Sequence, residues 1–152
     1  MADETDSTDL SRQQHVRDVV LVVDVANVLG TRPDGWWRDR LGATERLLKS
    51  LPLLDGADIV TPDGSPCVLR GLVAVLEGKA RNARVPDGVV PVRATGSGDD
   101  ALVSYVEHET AQADNPLVVV TADRGLRQRL PEVVQVLGPG WLRDRLDALE
   151  RG

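Results

Sequence analysis

The sequence predicts a doubly wound α/β domain of three layers, with a mainly parallel five-stranded sheet between helices. Three observations predict it. Short aliphatic runs rich in Val and Leu recur along the chain, and such runs suit strands buried on both faces, as in parallel sheets. Segments with helical period or helix-start signals lie between them. The chain has 152 residues, 41% hydrophobic and 28% charged, which fits one globular domain with a single core.

Residues 1–17 are charged, small and without apolar period, and read as a disordered acidic tail ahead of a single domain over 18–152. Val19-Val20-Leu21-Val22-Val23 is the first strand, and it runs into Asp24-Val25-Ala26-Asn27. A loop over 31–40 holds Pro33, Gly35 and the pair Trp36-Trp37. A helix follows over about 42–54, with Leu41, Leu47, Leu48 and Leu51 on one side. Residues 55–65 are turn-rich. The second strand covers 69–76, a polar stretch covers 77–87, and the third strand covers 89–92. Gly96-Ser97-Gly98-Asp99-Asp100 opens a helix that reaches about 113. The fourth strand covers 116–121, a short helix 123–130 and the fifth strand 133–137. Gly138-Pro139-Gly140 turns the chain into a last helix over 141–150, with Trp141, Leu142, Leu146 and Leu149 as its buried stripe. Strands alternating with helices make βαβ units, and right-handed crossovers place helices on both faces.

Composition narrows the function classes. No apolar run is long enough to cross a bilayer, so no membrane role is expected. The N-terminus lacks the apolar core of a secretory signal. The single cysteine, Cys67, cannot form an internal disulfide and fits a reducing, cytoplasmic setting. The net charge is −6, divided equally between residues 1–18 and the rest. Phosphate contact usually needs positive surface, so any nucleic-acid site must rest on a local basic patch or on bound cations. The chain contains no GxxxxGK[ST] loop, GxSxG elbow or GxGxxG fingerprint, and no His/Cys cluster with zinc spacing.

The acids supply the chemistry. In open parallel sheets, ligands bind beyond the carboxyl ends of the strands. Asp24 ends strand one, Glu77 ends strand two, Asp99 opens the helix after strand three, and Asp123 follows strand four. Crowded carboxylates repel one another unless a cation neutralises them. Mg²⁺ or Mn²⁺, with all-oxygen ligands, is the chemical match, and such ions activate water against a phosphodiester. Each acid has a structural reading beside this one. Asp123 fits an N-cap equally well. Ser97 with Asp100 resembles a capping box, which leaves Asp99 the freer ligand and makes Asp100 a secondary one. Glu77 reads as a solvated strand-end acid, and is also only a secondary ligand. Asn27 could instead turn the chain after strand one. Asp24 interrupts a buried apolar run, where an unpaired carboxylate is costly, and this favours a functional role.

Basic residues flank the same edge. Lys79, Arg81 and Arg84 follow strand two, Arg38 and Arg40 flank the Trp pair, and Arg124, Arg127 and Arg129 follow strand four. Such residues hold a phosphate backbone without reading sequence. Ordinary solvated surface is the plainer reading for Arg127 and Arg129. Arg124, Lys79 and Arg81, together with Asn27 and Thr121, are the substrate-binding candidates. Trp36 and Trp37 read as a base-stacking pair or as a packing anchor for their loop.

Three of these segments, taken in order, carry a family resemblance. Val22-Val23-Asp24-Val25-Ala26-Asn27 resembles the first-strand motif of the NYN branch of the PIN-like nucleases, in which Asp is followed three residues on by Asn. Gly98-Asp99-Asp100-Ala101-Leu102 is similar to that family's acidic helix start, and Val118-Val119-Val120-Thr121-Ala122-Asp123-Arg124 to its late Thr/Ser-x-Asp-Arg strand end. The resemblance spans about residues 19–137. It implies a PIN-like sheet of order 3-2-1-4-5 and a Mg²⁺- or Mn²⁺-dependent ribonuclease. It also implies that Asp24, Asp99 and Asp123 are metal ligands and catalytic residues, with Asn27 in support. The chain departs from the usual motif in having Ala26 where Gly often precedes the Asn. RNA is the partner this implies. A homodimer is compatible with the sequence, and no residue pattern names a protein partner. The alternative is a PIN-like regulatory module that binds RNA or protein without turnover. Phosphatase and receiver-like readings fail, because Ala26, Arg93 and Gly138 occupy the positions where those sites need Asp, Asp and Lys.

Overall fold

The structure, a computed structural model, describes residues 16–112 and 115–152. The expected acidic tail, His15 included, therefore lies almost wholly outside the described residues. Arg17, assigned to that tail, instead opens the first strand.

Strand β1 (Arg17–Asp24) is the axis of the sheet. It pairs in parallel with β3 (Pro66–Leu76) on one side and with β5 (Leu117–Val120) on the other. Strand β4 (Val89–Arg93) adds in parallel to the carboxyl half of β3, and β6 (Gln135–Leu137) adds in parallel to β5. The period of two divides the apolar side chains between the faces. Val19, Leu21 and Val23 join one core with Leu47, Leu48, Leu142 and Leu146. Val22 joins a second core with Leu102, Val103, Val106 and Leu126. The continuous aliphatic runs thus reflect strands covered by helices on each side. Around the axis, Val19, Leu21, Val22 and Val23 are each at most 1% exposed. Burial of each such side chain contributes about 1.5–3 kcal/mol, enough together to carry one costly carboxylate at the strand's end.

Among the described residues the sheet has six strands rather than the five expected. The extra one, β2 (Asp58–Val60), pairs antiparallel with the start of β3. Its only buried residue is Ile59, while Val60 is exposed, so no alternating pattern marks it. The turn residues around it are a hairpin tip: Asp63 Oδ1 accepts from the Thr61 hydroxyl at 2.5 Å and from the Ser65 amide at 3.0 Å. Between β1 and β3 the register slips at Val19/Val20. Gly71 lies opposite Val20, and a Cβ there would come within 3.0 Å of the Val20 side chain.

The helices differ from expectation in detail. Helix α1 (Val25–Leu29) follows β1 without a break and was not foreseen. Helix α2 (Arg40–Ser50) starts earlier than predicted, with Asp39 as its cap, and this phase leaves Leu41 40% exposed rather than buried. It also stops earlier, because Pro52 has no amide proton to continue it, and Leu51–Leu54 winds into a 3₁₀ turn. Helix α3 (Gly98–Gln112) and the short α4 (Arg124–Arg129) cover one face. Helix α5 (Pro139–Arg151) seats Leu142 and Leu146 in the other core. Of its expected stripe, Trp141 is only partly buried and Leu149 is 36% exposed, because the helix is amphipathic over a narrower face. None of the described helices is long and apolar enough to cross a membrane.

Candidate functional site

The carboxyl ends of β1, β3 and β5 are level: Asp24 lies opposite Val75, and Val23 opposite Val120. The chain leaves the sheet there through Val25, Glu77 and Thr121, and this edge gathers the acids.

Asp24 is the innermost. Its carboxylate is buried, with Oδ2 accepting from the Thr121 hydroxyl at 3.0 Å and Oδ1 from the Asn27 amide at 3.4 Å. The second bond makes Asp24 the N-cap of α1, so the residue that ends the strand also starts the helix. Burial pushes its pKa up to about 6 against the opposing pull of the Thr121 and Asn27 hydrogen bonds, and the charges of Asp99 and Glu77 raise it further.

Thr121 is fully buried, and its hydroxyl also accepts from the Asp123 amide at 3.1 Å. Both capacities of the hydroxyl are used inside the protein, so Thr121 positions Asp24 and Asp123 rather than facing a substrate. Asn27 forms a second tie, its Oδ1 accepting from the Ala122 amide at 2.8 Å. The first and last of the three sequence motifs are thereby bolted together by side chain. Asp123 caps α4, with Oδ1 accepting from the Leu126 amide at 3.0 Å. Its capping role is therefore realised, and its other oxygen makes no hydrogen bond among the described residues.

Asp99 lies half-buried in the first turn of α3. Its pKa is raised, first by desolvation and then by the charges of Asp123 and Glu77, while Arg129 pulls it down. Asp24 thus feels the charges of Asp99 and Glu77, and Asp99 those of Asp123 and Glu77. Asp100 points elsewhere. The Ser97 hydroxyl accepts from its amide at 3.3 Å, but its carboxylate pairs with Arg129 at 2.7 Å instead of completing a capping box.

Glu77 differs from the expectation of a solvated acid. Its Oε2 accepts from the Gly98 amide at 2.7 Å, so it anchors the start of α3. A Cβ on Gly98 would fall 2.7 Å from the Glu77 carboxyl carbon, so a larger residue there would make the Glu77 carboxyl move. The glycine next to two acids was the available sequence signal. Lys79, Arg81 and Arg124 are exposed on the segments that follow β3 and β5.

The donor chemistry suits a hard divalent cation, being carboxylate oxygen throughout. The geometry is not that of a closed cage: among the described residues no three His, Cys, Asp or Glu side chains converge on a common point.

Fold and site together define an α/β protein with an acidic cluster at the carboxyl edge of a mostly parallel sheet. Among solved structures, the chain is similar to Rae1 (YacP) from Bacillus subtilis, with a TM-score of 0.61 and 14% identity over 88% of this chain and 77% of that one. At that identity the likeness shows the fold. No protein-family model and no curated protein sequence matches the chain.

Proposed function

We propose that the chain is a PIN-like domain of the NYN branch and acts as a Mg²⁺- or Mn²⁺-dependent endoribonuclease in the cytoplasm. The observation that carries this reading is Asp24: a buried carboxylate with a pKa near 6, coupled to Asp99 and Glu77 at the edge where parallel sheets take ligands. The Rae1-like fold is consistent with it.

In this reading Asp24, Asp99 and Asp123 hold the cation, with Glu77 nearby as a fourth negative charge. A bound Mg²⁺ or Mn²⁺ supplies Lewis acidity to the attacking water and to the leaving oxygen. The chain's own residues do the rest. Thr121 and Asn27 fix Asp24 and the start of α4 in register. Asp123 presents an oxygen not used in its cap. Lys79, Arg81 and Arg124 offer positive charge to the phosphate backbone, which compensates locally for a net charge of −6.

The test is cleavage of a broad RNA panel with Mn²⁺ or Mg²⁺ present. Metal-dependent scission that Asp24→Asn abolishes is the expected result. Absence of scission from every RNA would remove the enzyme reading.

A second reading is a regulatory module that binds RNA or protein without turnover. The lack of a ready three-carboxylate group among the described residues and the negative net charge favour it. Titration with Mn²⁺ separates the two, since the module has no reason to take up the ion.

A further inference from the structure

The Trp36-Trp37 pair sits on a turn that splits the two rings into different environments. Gly35 adopts φ 84°, a left-handed conformation that favours glycine, and launches the 3₁₀ turn Trp36–Arg38. Trp36 packs against the core, while Trp37 is 53% exposed. Their centroids are 6.1 Å apart with ring planes at 87°, so the partly buried indole meets the exposed one edge to face. Trp37 thus presents much of its ring to solvent, with its neighbour set against it.

Arg40 extends the same unit toward the acidic edge. Its guanidinium carbon lies 5.7 Å from the Trp36 ring centroid, a cation–π contact. One of its terminal nitrogens sits beside Gly78, the residue after Glu77, and its side chain lines a small cavity with Ala26 and Glu77. Its Nε is buried without a hydrogen-bond partner. Among the described residues, Arg38, Arg40 and Lys79 form no ion pair. Asp39, between the arginines, is occupied in capping α2 through the Gly42 amide at 2.9 Å.

We infer that residues 36–40 grip unpaired RNA: Trp37 stacks on a base, and Arg40, steadied by Trp36, takes the adjoining phosphate beside the acidic edge. This rests on the nuclease reading and assigns to these residues the holding of an unpaired strand. Base faces are open for stacking only where RNA is unpaired, and aromatic stacking tolerates any base. A duplex hides those faces. A protein partner would meet a lone indole ringed by charges rather than an apolar patch.

The test uses the full chain carrying Asp24→Asn, so that RNA survives, and fluorescence anisotropy of a labelled oligoribonucleotide as a single strand and as a duplex. Trp37→Ala should weaken single-strand binding about 5- to 150-fold, the range that loss of one stacked base gives, and leave duplex binding unchanged. Trp37→Phe should retain most of the affinity, and Arg40→Lys should weaken binding to the single strand. Single-strand binding should quench indole fluorescence, with most of that quench lost in Trp37→Ala. Equal single-strand affinity with and without Trp37 overturns the grip. If the unsubstituted protein still cleaves RNA with Mn²⁺ in that case, the grip alone has failed; if it neither binds nor cleaves RNA, both readings fall.

Discussion

The Thr121 hydroxyl donates to Asp24 Oδ2 at 3.0 Å, across the ends of two adjacent parallel strands and 97 residues of sequence. The same oxygen accepts from the Asp123 amide at 3.1 Å. One buried hydroxyl therefore sets the position of two of the three acids on which the proposed chemistry depends.

Thr121→Val keeps the shape of the side chain and removes both bonds. The Asp24 carboxylate loses a donor that favours its charged form, and the Asp123 amide loses its acceptor. The variant should be less stable by about 1–3 kcal/mol, the usual cost of orphaning buried polar groups. Its pKa at Asp24 should rise further. Chemical denaturation and carboxyl-resolved NMR titration measure both. A Thr121→Ser variant should restore most of the stability, and its failure to do so would show that the methyl group, not the hydroxyl, matters.

Asp24 gives the fold a defined pH dependence. Its carboxyl holds a proton up to about pH 6 in the folded chain, because burial disfavours the charge, but releases it near 3.8 otherwise. The folded state therefore binds more protons between those values. Without metal, stability should fall as pH rises from about 4 to 6 and then level off. Asp24→Asn should flatten this slope and be more stable than the parent by about 1–2 kcal/mol at neutral pH, the desolvation relief less one lost hydrogen bond. Melting curves across pH decide it; a parent protein whose stability rises through this window would contradict the assignment.

Much of this site was legible in the sequence because its parts are local. Asp24 ends an aliphatic run, Asn27 follows three residues later, and Thr121 and Asp123 end another run, so each motif announces a strand end. What joins them was not legible. The Asp24–Thr121 and Asn27–Ala122 bonds need β1 and β5 side by side, an adjacency that the strand order of the family resemblance implied but that no local motif carries. Helix α1 was hidden because Val25–Leu29 continues the apolar composition of β1, and only the Asp24 cap marks the change of structure. Strand β2 was hidden because one buried residue makes no pattern. The burial of Leu41 was misjudged because Asp39 sets the start of α2 and thereby its rotational phase.

Glu77 was read as solvent-facing, and its bond to the Gly98 amide leads to a coupled prediction. Gly98→Ala places a Cβ 2.7 Å from the Glu77 carboxyl carbon, so the end of the Glu77 side chain must swing aside and loosen its bond to the residue 98 amide. The substitution should cost about 0.5–1.5 kcal/mol, the net worth of that one hydrogen bond. In a Glu77→Ala background the clash is gone, so the same change should cost far less. A double-mutant cycle reads the coupling, and additivity of the two substitutions would refute the contact.

The central claim is that Asp24, Asp99 and Asp123 close around one divalent ion although they do not form a finished cage beforehand. The most direct measurement is a crystal of the full chain soaked in Mn²⁺, with anomalous scattering recorded to locate the metal. The account predicts a peak among the three carboxylates, which Asp24→Asn removes. A map at saturating Mn²⁺ with no peak there, and the three side chains still apart, would contradict it.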